Sequence, residues 1–233
     1  VSCHHEQPRA LDFRTRAACE LLGSVLSLQI ESHEAHSATR TLLDLRQRIV
    51  HLLSAMADYD SVSDGLLSLP DVLLDFVGAS GAAIISAERC DLIGNAPPEA
   101  LVNELVQWLS SRGDDGVFSS DNLGRDIPEL PALAEHAGGL LAVAISQIHS
   151  HYLLWFRPEQ VRTVNWAGKP LKEVSAQGNL SPRHSFDSWQ EDVSGFCAAW
   201  DPLVIDGVAE LRTAVLGIVL RKAEELAQLS GEL

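Results

Sequence analysis

From Leu21 to Met56 one line of positions recurs at steps of three and four. It runs from Leu21, Val25 and Leu28, through Ser32, Ala35 and Thr39, to Leu42, Leu45, Ile49, Leu52 and Met56. That spacing keeps one helix face in line and is close to a heptad. Pro8 breaks whatever precedes it, and Asp12 is a suitable cap, so a helix is predicted over residues 12–57. At the rise of an α-helix it extends about 65 Å. A small domain needs no such length internally, so the helix is expected to bridge two domains, with part of it available for dimerisation. Its middle is small or polar, which weakens any coiled coil there. The alternative is two shorter helices broken near Ser32.

Beyond it the pattern changes period. Val62–Gly81 reads as one short amphipathic helix, with Pro70 near its first turn and Gly78 near its end. Ala82–Ala87 and Asp91–Gly94 read as paired strands. Pro97–Gly113 is a helix started by Pro and stopped by Gly. Gly116–Gly124 gives a short strand and a turn. Gly138–Gln147 and Ser150–Pro158 are continuous apolar runs, read as central strands joined by a tight turn near His149. Ser194–Trp200 is expected to return to the sheet as a strand. Asp201 and Pro202 then open a last helix with the stripe Val204, Val208, Leu211, Val215 and Ile218, with Leu226 and Leu229 beyond. The element order predicts an α+β fold, an antiparallel sheet flanked by helices.

Between the last strand run and that return lie about thirty residues with little periodicity, a length that in compact domains marks lids, binding arms or disordered segments. This stretch carries Val161, Val164, Trp166, Phe186 and Trp189, anchors that a disordered linker lacks. Four of the five tryptophans fall between Trp155 and Trp200. A Gly- and Pro-broken arm with aromatic anchors reads as one that docks on a partner.

Composition narrows the classes. The 233 residues are 46% hydrophobic, enough for a proper core, and the net charge of −15 argues against a nucleic-acid surface. Cys3, Cys19, Cys90 and Cys197 show no metal-ligand spacing and are read as reduced thiols of a cytoplasmic protein. No apolar run approaches a membrane span of about 18 residues. Val1 opens in what reads as a strand, and Met56 is the only methionine. The chain is therefore expected to be a piece of a longer protein. No nucleotide loop or metalloprotease motif occurs. Ser185, His184 and Asp187 stand too close in sequence to form a triad. His149 and His151 with Cys90 or Asp91 have no spacing that supports a metal site.

Three short motifs stand in order within the arm: Trp166-Ala167-Gly168, Pro182-Arg183-His184-Ser185-Phe186 and Trp189-Gln190-Glu191. Together they resemble the tongue of the PHY domain of phytochromes, whose patterns are W-G/A-G, P-R-x-S-F and W-x-E. Val1–Arg9 is similar to the last strand of the chromophore-binding GAF domain that precedes PHY, so the resemblance covers nearly the whole chain.

The resemblance implies a GAF-like antiparallel sheet with a long N-terminal connecting helix, a tongue hairpin and a C-terminal output helix. It divides the chain into residues 1–11 (end of GAF), 12–57 (connecting helix), 58–201 (PHY, with the tongue at about 157–193) and 202–233 (helix to an output domain). Trp166, Ala167, Gly168, Pro182, Arg183, Ser185, Phe186, Trp189 and Glu191 would form the surface that docks on GAF. Arg183 would pair with a GAF aspartate in the red-absorbing state, and Ser185 would take over the contact in the far-red state as the tongue changes from hairpin to helix. His4 would line the chromophore pocket near the D ring. Biliverdin or a related bilin is expected in the parent protein, with none bound covalently to this stretch, because neither family attachment segment matches here.

The Asp126-Ile127-Pro128 sequence repeats a GAF motif of the family but lies well inside the PHY-like region, and is read as coincidence. The partners implied are the GAF domain of the same chain, a downstream output module, most often a histidine kinase, and a second copy in a parallel homodimer through the long helices. Neither nucleic acid nor membrane is among them. This stretch itself is expected to catalyse nothing. The alternatives are a GAF-like small-molecule-binding regulatory domain with a lid loop, and a hydrolase or transferase with an active-site lid.

Overall fold

The computed structural model describes residues 10–86, 89–113, 116–146, 151–160, 162–167, 188–193 and 195–231. The chain divides into two compact units, Val1–Asp44 and Leu45–Leu233. In the first, the described chain is chiefly the opening part of α1 (Phe13–Asp58). Asp12 Oδ1 accepts from the Thr15 amide at 2.9 Å and caps it. The helix continues through Ser32, so the two-helix alternative is not adopted. Ser24 and Thr39 hydroxyls donate to the carbonyls of Glu20 and Ala35, one turn back, which accommodates polar residues inside the helix. Leu21, Val25 and Leu28 are exposed.

The second unit begins where the same stripe becomes core. Leu45, Ile49, Leu52 and Met56 are buried, each fully buried side chain of this size stabilising by about 1.5–3 kcal/mol. The final carbonyls of α1 need partners. Lys222 Nζ supplies one, donating to Met56 O at 3.0 Å, to Asp60 O at 3.4 Å and to the carbonyl of Tyr59.

The single helix expected over Val62–Gly81 is two, α2 (Val62–Leu67) and α3 (Pro70–Val77). Pro70 has no amide to donate and drives the preceding residue out of the α region, and Leu69 sits at φ −127°, ψ 58°. Gly78 closes α3 in the left-handed conformation, φ 64°, with its amide on Leu74 O.

Five strands form one antiparallel sheet in the order β2-β1-β5-β4-β3: β1 (Gly81–Ser86), β2 (Arg89–Gly94), β3 (Val117–Ser120), β4 (Gly139–Ser146) and β5 (His151–Arg157). The centre is therefore β5, with β1 and β4 on either side. Alternate residues serve opposite faces. Ile84, Val143, Leu153 and Trp155 pack with α1, α3 and α6 (Pro202–Gly231), whereas Ile85, Leu140, Leu154 and Phe156 pack with α4 (Glu99–Ser111) and with α5 (Leu123–Asp126). Both faces are covered, which explains why β5 is apolar without alternation. The turn predicted after β3 is α5, capped by Asn122 Oδ1 accepting from the Arg125 amide at 2.9 Å. The turn placed near His149 lies outside the described residues.

Ser194–Trp200, expected as a strand, is irregular from Gly195 to Trp200. Its backbone bonds go to separate partners: Gln160 N donates to Phe196 O, and Cys197 N donates to Asp121 O. Cys197 and Trp200 turn into the core instead of pairing along an edge. Asp201 Oδ1 then accepts from Leu203 N at 2.9 Å, and α6 buries Val208, Leu211, Val215 and Ile218 at its helical spacing. Among the described residues no helix is long and apolar enough to cross a membrane.

Candidate functional site: a hairpin and its base

Outside the main sheet, β6 (Arg162–Ala167) and β7 (Ser188–Val193) pair antiparallel. The register runs from Arg162 opposite Val193 to Ala167 opposite Ser188, and places Trp166 opposite Trp189 and Val164 opposite Glu191. The β-branched Thr163 and Val164 favour an extended arm. Four of the sequence candidates, Trp166, Ala167, Trp189 and Glu191, are thus brought within four consecutive rungs of one ladder. Gly168, Pro182, Arg183, Ser185, Phe186 and His4 lie outside the described residues.

The hairpin leaves the sheet after β5 and returns ahead of α6, and one side chain joins the two strands of chain at that point. Arg157 Nε donates to Gly78 O at 3.0 Å, and its Nη2 donates to Val77 O. Its Nη1 donates to Ala198 O and Ala199 O, each at 3.0 Å. The guanidinium stacks 3.8 Å from the ring centroid of Trp200, whose indole N–H donates to Ser120 O at 2.9 Å. Two of the four carbonyls cap α3, where the helix dipole favours a cation. Burial lowers the pKa of Arg157 from its ordinary value, but an arginine remains charged in a protein.

Further contacts tighten the same base. Glu159 Oε1 accepts from Gly195 N across the two arms. A Cβ on Gly139 would stand 2.1 Å from Cys197 Sγ, and one on Gly138 would stand 2.8 Å from Glu159 Cα. Glycine is needed at both for the backbones to approach so closely. Arg125 lies over the Phe196 ring at 5.9 Å and pairs with Asp121 and Asp126. Asp126 also accepts from Ser120 Oγ at 2.8 Å; with Arg125 as the larger cause, these bonds hold its carboxyl below the usual range. The Asp of the Asp126-Ile127-Pro128 sequence is thus held by its own neighbours, and Ile127 is core.

Arg157, Gly138, Gly139 and Trp200 were not legible as site residues from pattern alone. The available signal was a lone charge ending the fully apolar strand from Tyr152 to Phe156. No group of three or more potential metal ligands occurs among the described residues. Cys90 has its thiol pKa raised by burial and by the nearby Glu99 and Asp91, and Asp91 is engaged by Arg89 at 2.8 Å. On the α4 side of the sheet, the cavity bordered by Leu109, Phe118 and Tyr152 measures about 20 Å³, enough for about one water and no organic ligand.

Residues 45–224 match the family model of the phytochrome region, PHY. Cyanobacterial phytochrome B of Nostoc sp. is 37% identical over 237 residues, a match covering 100% of this chain and 32% of that protein. Among solved structures, a bacteriophytochrome of R. palustris, RpBphP3, superposes with a TM-score of 0.74 at 32% identity, covering 95% of this chain and 45% of that one. The wild-type photosensory core module of the Stigmatella aurantiaca phytochrome gives 0.68 at 36% identity, covering 91% and 43%. The chain spans about a third of the length of the cyanobacterial phytochromes it matches.

Proposed function

Because the chain belongs to the phytochrome family, we propose that it is the signal-relay part of a red/far-red photoreceptor. The hairpin is its tongue and docks on a bilin-binding GAF domain of the same parent chain. Docking stabilises the photostates of the bilin, biliverdin or a relative, and photoconversion passes through the helices to an output module, a histidine kinase. The connecting and output helices pair in a parallel dimer, and the protein works in the cytoplasm. The observation that carries this reading is the hairpin itself, with Trp166 and Trp189 on one rung and its base anchored to the sheet.

Arg183 is assigned the docking contact, as a planar donor suited to a carboxylate, and Ser185 the contact that replaces it. His4 is assigned to the bilin pocket. Reversing a two-state population from 1:99 to 99:1 needs about 5.5 kcal/mol. Breaking one buried charged pair costs about 3–5 kcal/mol, so exchanging one docked contact for another is of the right size. A lidded small-molecule-binding domain is less well supported, because the arm carries three motifs in the order of the phytochrome tongue and residues 45–224 match the phytochrome region.

The test uses the parent chain reconstituted with biliverdin, with red/far-red difference spectra of wild type and Arg183→Ala. The reading expects reversible conversion of wild type and a reduced far-red amplitude, or a changed reversion rate, in the variant. Identical conversion in both removes Arg183 from the switch. A wild type without photochemistry overturns the photoreceptor reading.

A further inference from the structure

We infer that Arg157 is a positioning residue that couples the hairpin to the start of α6, an inference that rests on the relay reading above. Arg157 is the last residue of β5, so it marks where the chain leaves toward the hairpin. Its guanidinium reaches across to Ala198 and Ala199, on the returning chain, and lies on Trp200. Immediately after Trp200, Asp201 caps α6 through its backbone and side-chain oxygens, which accept from Val204, Ile205 and Leu203 amides. Only Trp200 and Asp201 therefore separate the last of these carbonyls, that of Ala199, from Pro202 at the start of the outgoing helix.

The other side of the guanidinium is fixed. Val77 and Gly78 belong to the end of α3, which is packed into the sheet through Leu73, Phe76 and Val77. Trp200 is tied independently to the end of β3 through Ser120. The arrangement thus holds the returning arm against two rigid elements at once. Each anchor is a carbonyl or a ring face, so the planar fork of arginine is used in full, and an ammonium could satisfy only part of it. The fork thereby fixes the position from which Asp201 caps α6, and a displacement of the hairpin reaches that cap only by shifting Ala198–Trp200 together with Arg157 rather than by being lost in slack chain.

The experiment is hydrogen exchange on the bilin-loaded parent chain, dark and illuminated, for wild type, Arg157→Lys and Arg157→Met. Methionine keeps much of the apolar stem and removes the donors. In the dark, Arg157→Met is expected to speed exchange at Leu203, Val204 and Ile205 by about tenfold or more, the loss of at least one charge-assisted hydrogen bond. The β4 and β5 amides should remain as in wild type, which separates a local release from general destabilisation. On illumination, the difference seen at the start of α6 in wild type should vanish in Arg157→Met, while the bilin difference spectrum keeps its amplitude. Arg157→Lys should fall between. Wild-type exchange at 203–205 in Arg157→Met, dark and lit, overturns the proposal, as does uniform loss of protection that includes the sheet. A wild type that shows no light response overturns the relay reading instead, and the dark comparison still decides whether Arg157 fixes the cap.

Discussion

A methyl group added at Gly139 would stand 2.1 Å from Cys197 Sγ and 2.9 Å from Ser120 O, so either the returning chain or the end of β3 must move. Overpacking of this kind costs about 1–3 kcal/mol. Gly139→Ala should therefore lower the urea midpoint with little change in slope. Adding Cys197→Ala removes the sulfur but leaves the Ser120 carbonyl, so the double variant should recover part of the loss and depart from additivity. An unchanged midpoint in Gly139→Ala would mean the arms are not pressed against β4. Asp126 gives a second prediction of the same scale. Its folded pKa lies below the ordinary carboxylate value, mainly through Arg125 and then Ser120. A depressed carboxylate adds stability that is present above the unfolded value of about 4 and lost as pH falls through the folded value. Its side chain is partly solvated, so screening limits the effect to under about 1 kcal/mol. Wild type should exceed Asp126→Asn by that small margin at neutral pH, and the margin should close on titration from pH 5 to about pH 2. A margin that grows in acid would contradict the pairing.

At the scale of elements, a buried indole bonds the middle of α3 to the sheet. Trp155 is fully buried on β5, donates from Nε1 to Leu73 O at 3.0 Å and packs against Phe76 with ring centroids 6.3 Å apart. Trp155→Phe keeps an aromatic ring but removes the donor and leaves a void. It should cost about 2–4 kcal/mol in chemical denaturation, combining an unsatisfied carbonyl with a small cavity. A cost below 1 kcal/mol would show that the seam between α3 and the sheet repacks freely, contrary to the dense packing of such interiors. These elements differ in how openly the sequence declares them. The three-and-four spacing from Leu45 to Met56 and from Val208 to Ile218 corresponds to buried helix faces, and the apolar run of β5 corresponds to a strand covered on both sides. The break at Leu69 was missed because apolar spacing continues across it, whereas backbone sterics before Pro70 decide the chain's path. Ser194–Trp200 was misread as a strand because its apolar residues are buried by tertiary contacts with β3 and Arg157, which no local period encodes. The same reason hid Arg157, since its partners lie at Val77–Gly78 and Ala198–Ala199, far apart in sequence. The three motifs of the arm were legible as words, but the rung that joins Trp166 to Trp189 required the backbone register.

At the scale of the whole molecule, α1 belongs to two regimes. None of the described residues in its first unit is buried, whereas Leu45, Ile49, Leu52 and Met56 join the sheet, α3 and α6 in one cluster. Lys222 fastens α6 to the end of α1, and Arg212 Nε donates to Ala144 O at 2.6 Å, fastening α6 to β4. A cluster shared by so many elements should unfold as one cooperative body. Leu52 is the sharpest probe, being fully buried within that cluster. Leu52→Ala removes its contacts and leaves a cavity, a change that costs about 2–5 kcal/mol. If α6, β5 and the end of α1 are one body, the slowest-exchanging amides of all three should lose protection by the same free energy, because each exchanges through the same global opening. Amides of Phe13–Asp44 belong to the other unit and should exchange as in wild type. Native-state hydrogen exchange on the two proteins reads both parts at once. Wild-type protection of α6 beside a weakened β5 would show that the outgoing helix is a separate foldon, and a relay through the shared core would then have no physical basis. Equal losses across the three elements would mean that a displacement at the end of α1 or at the base of the hairpin is felt by α6 through packing that has few ways to yield.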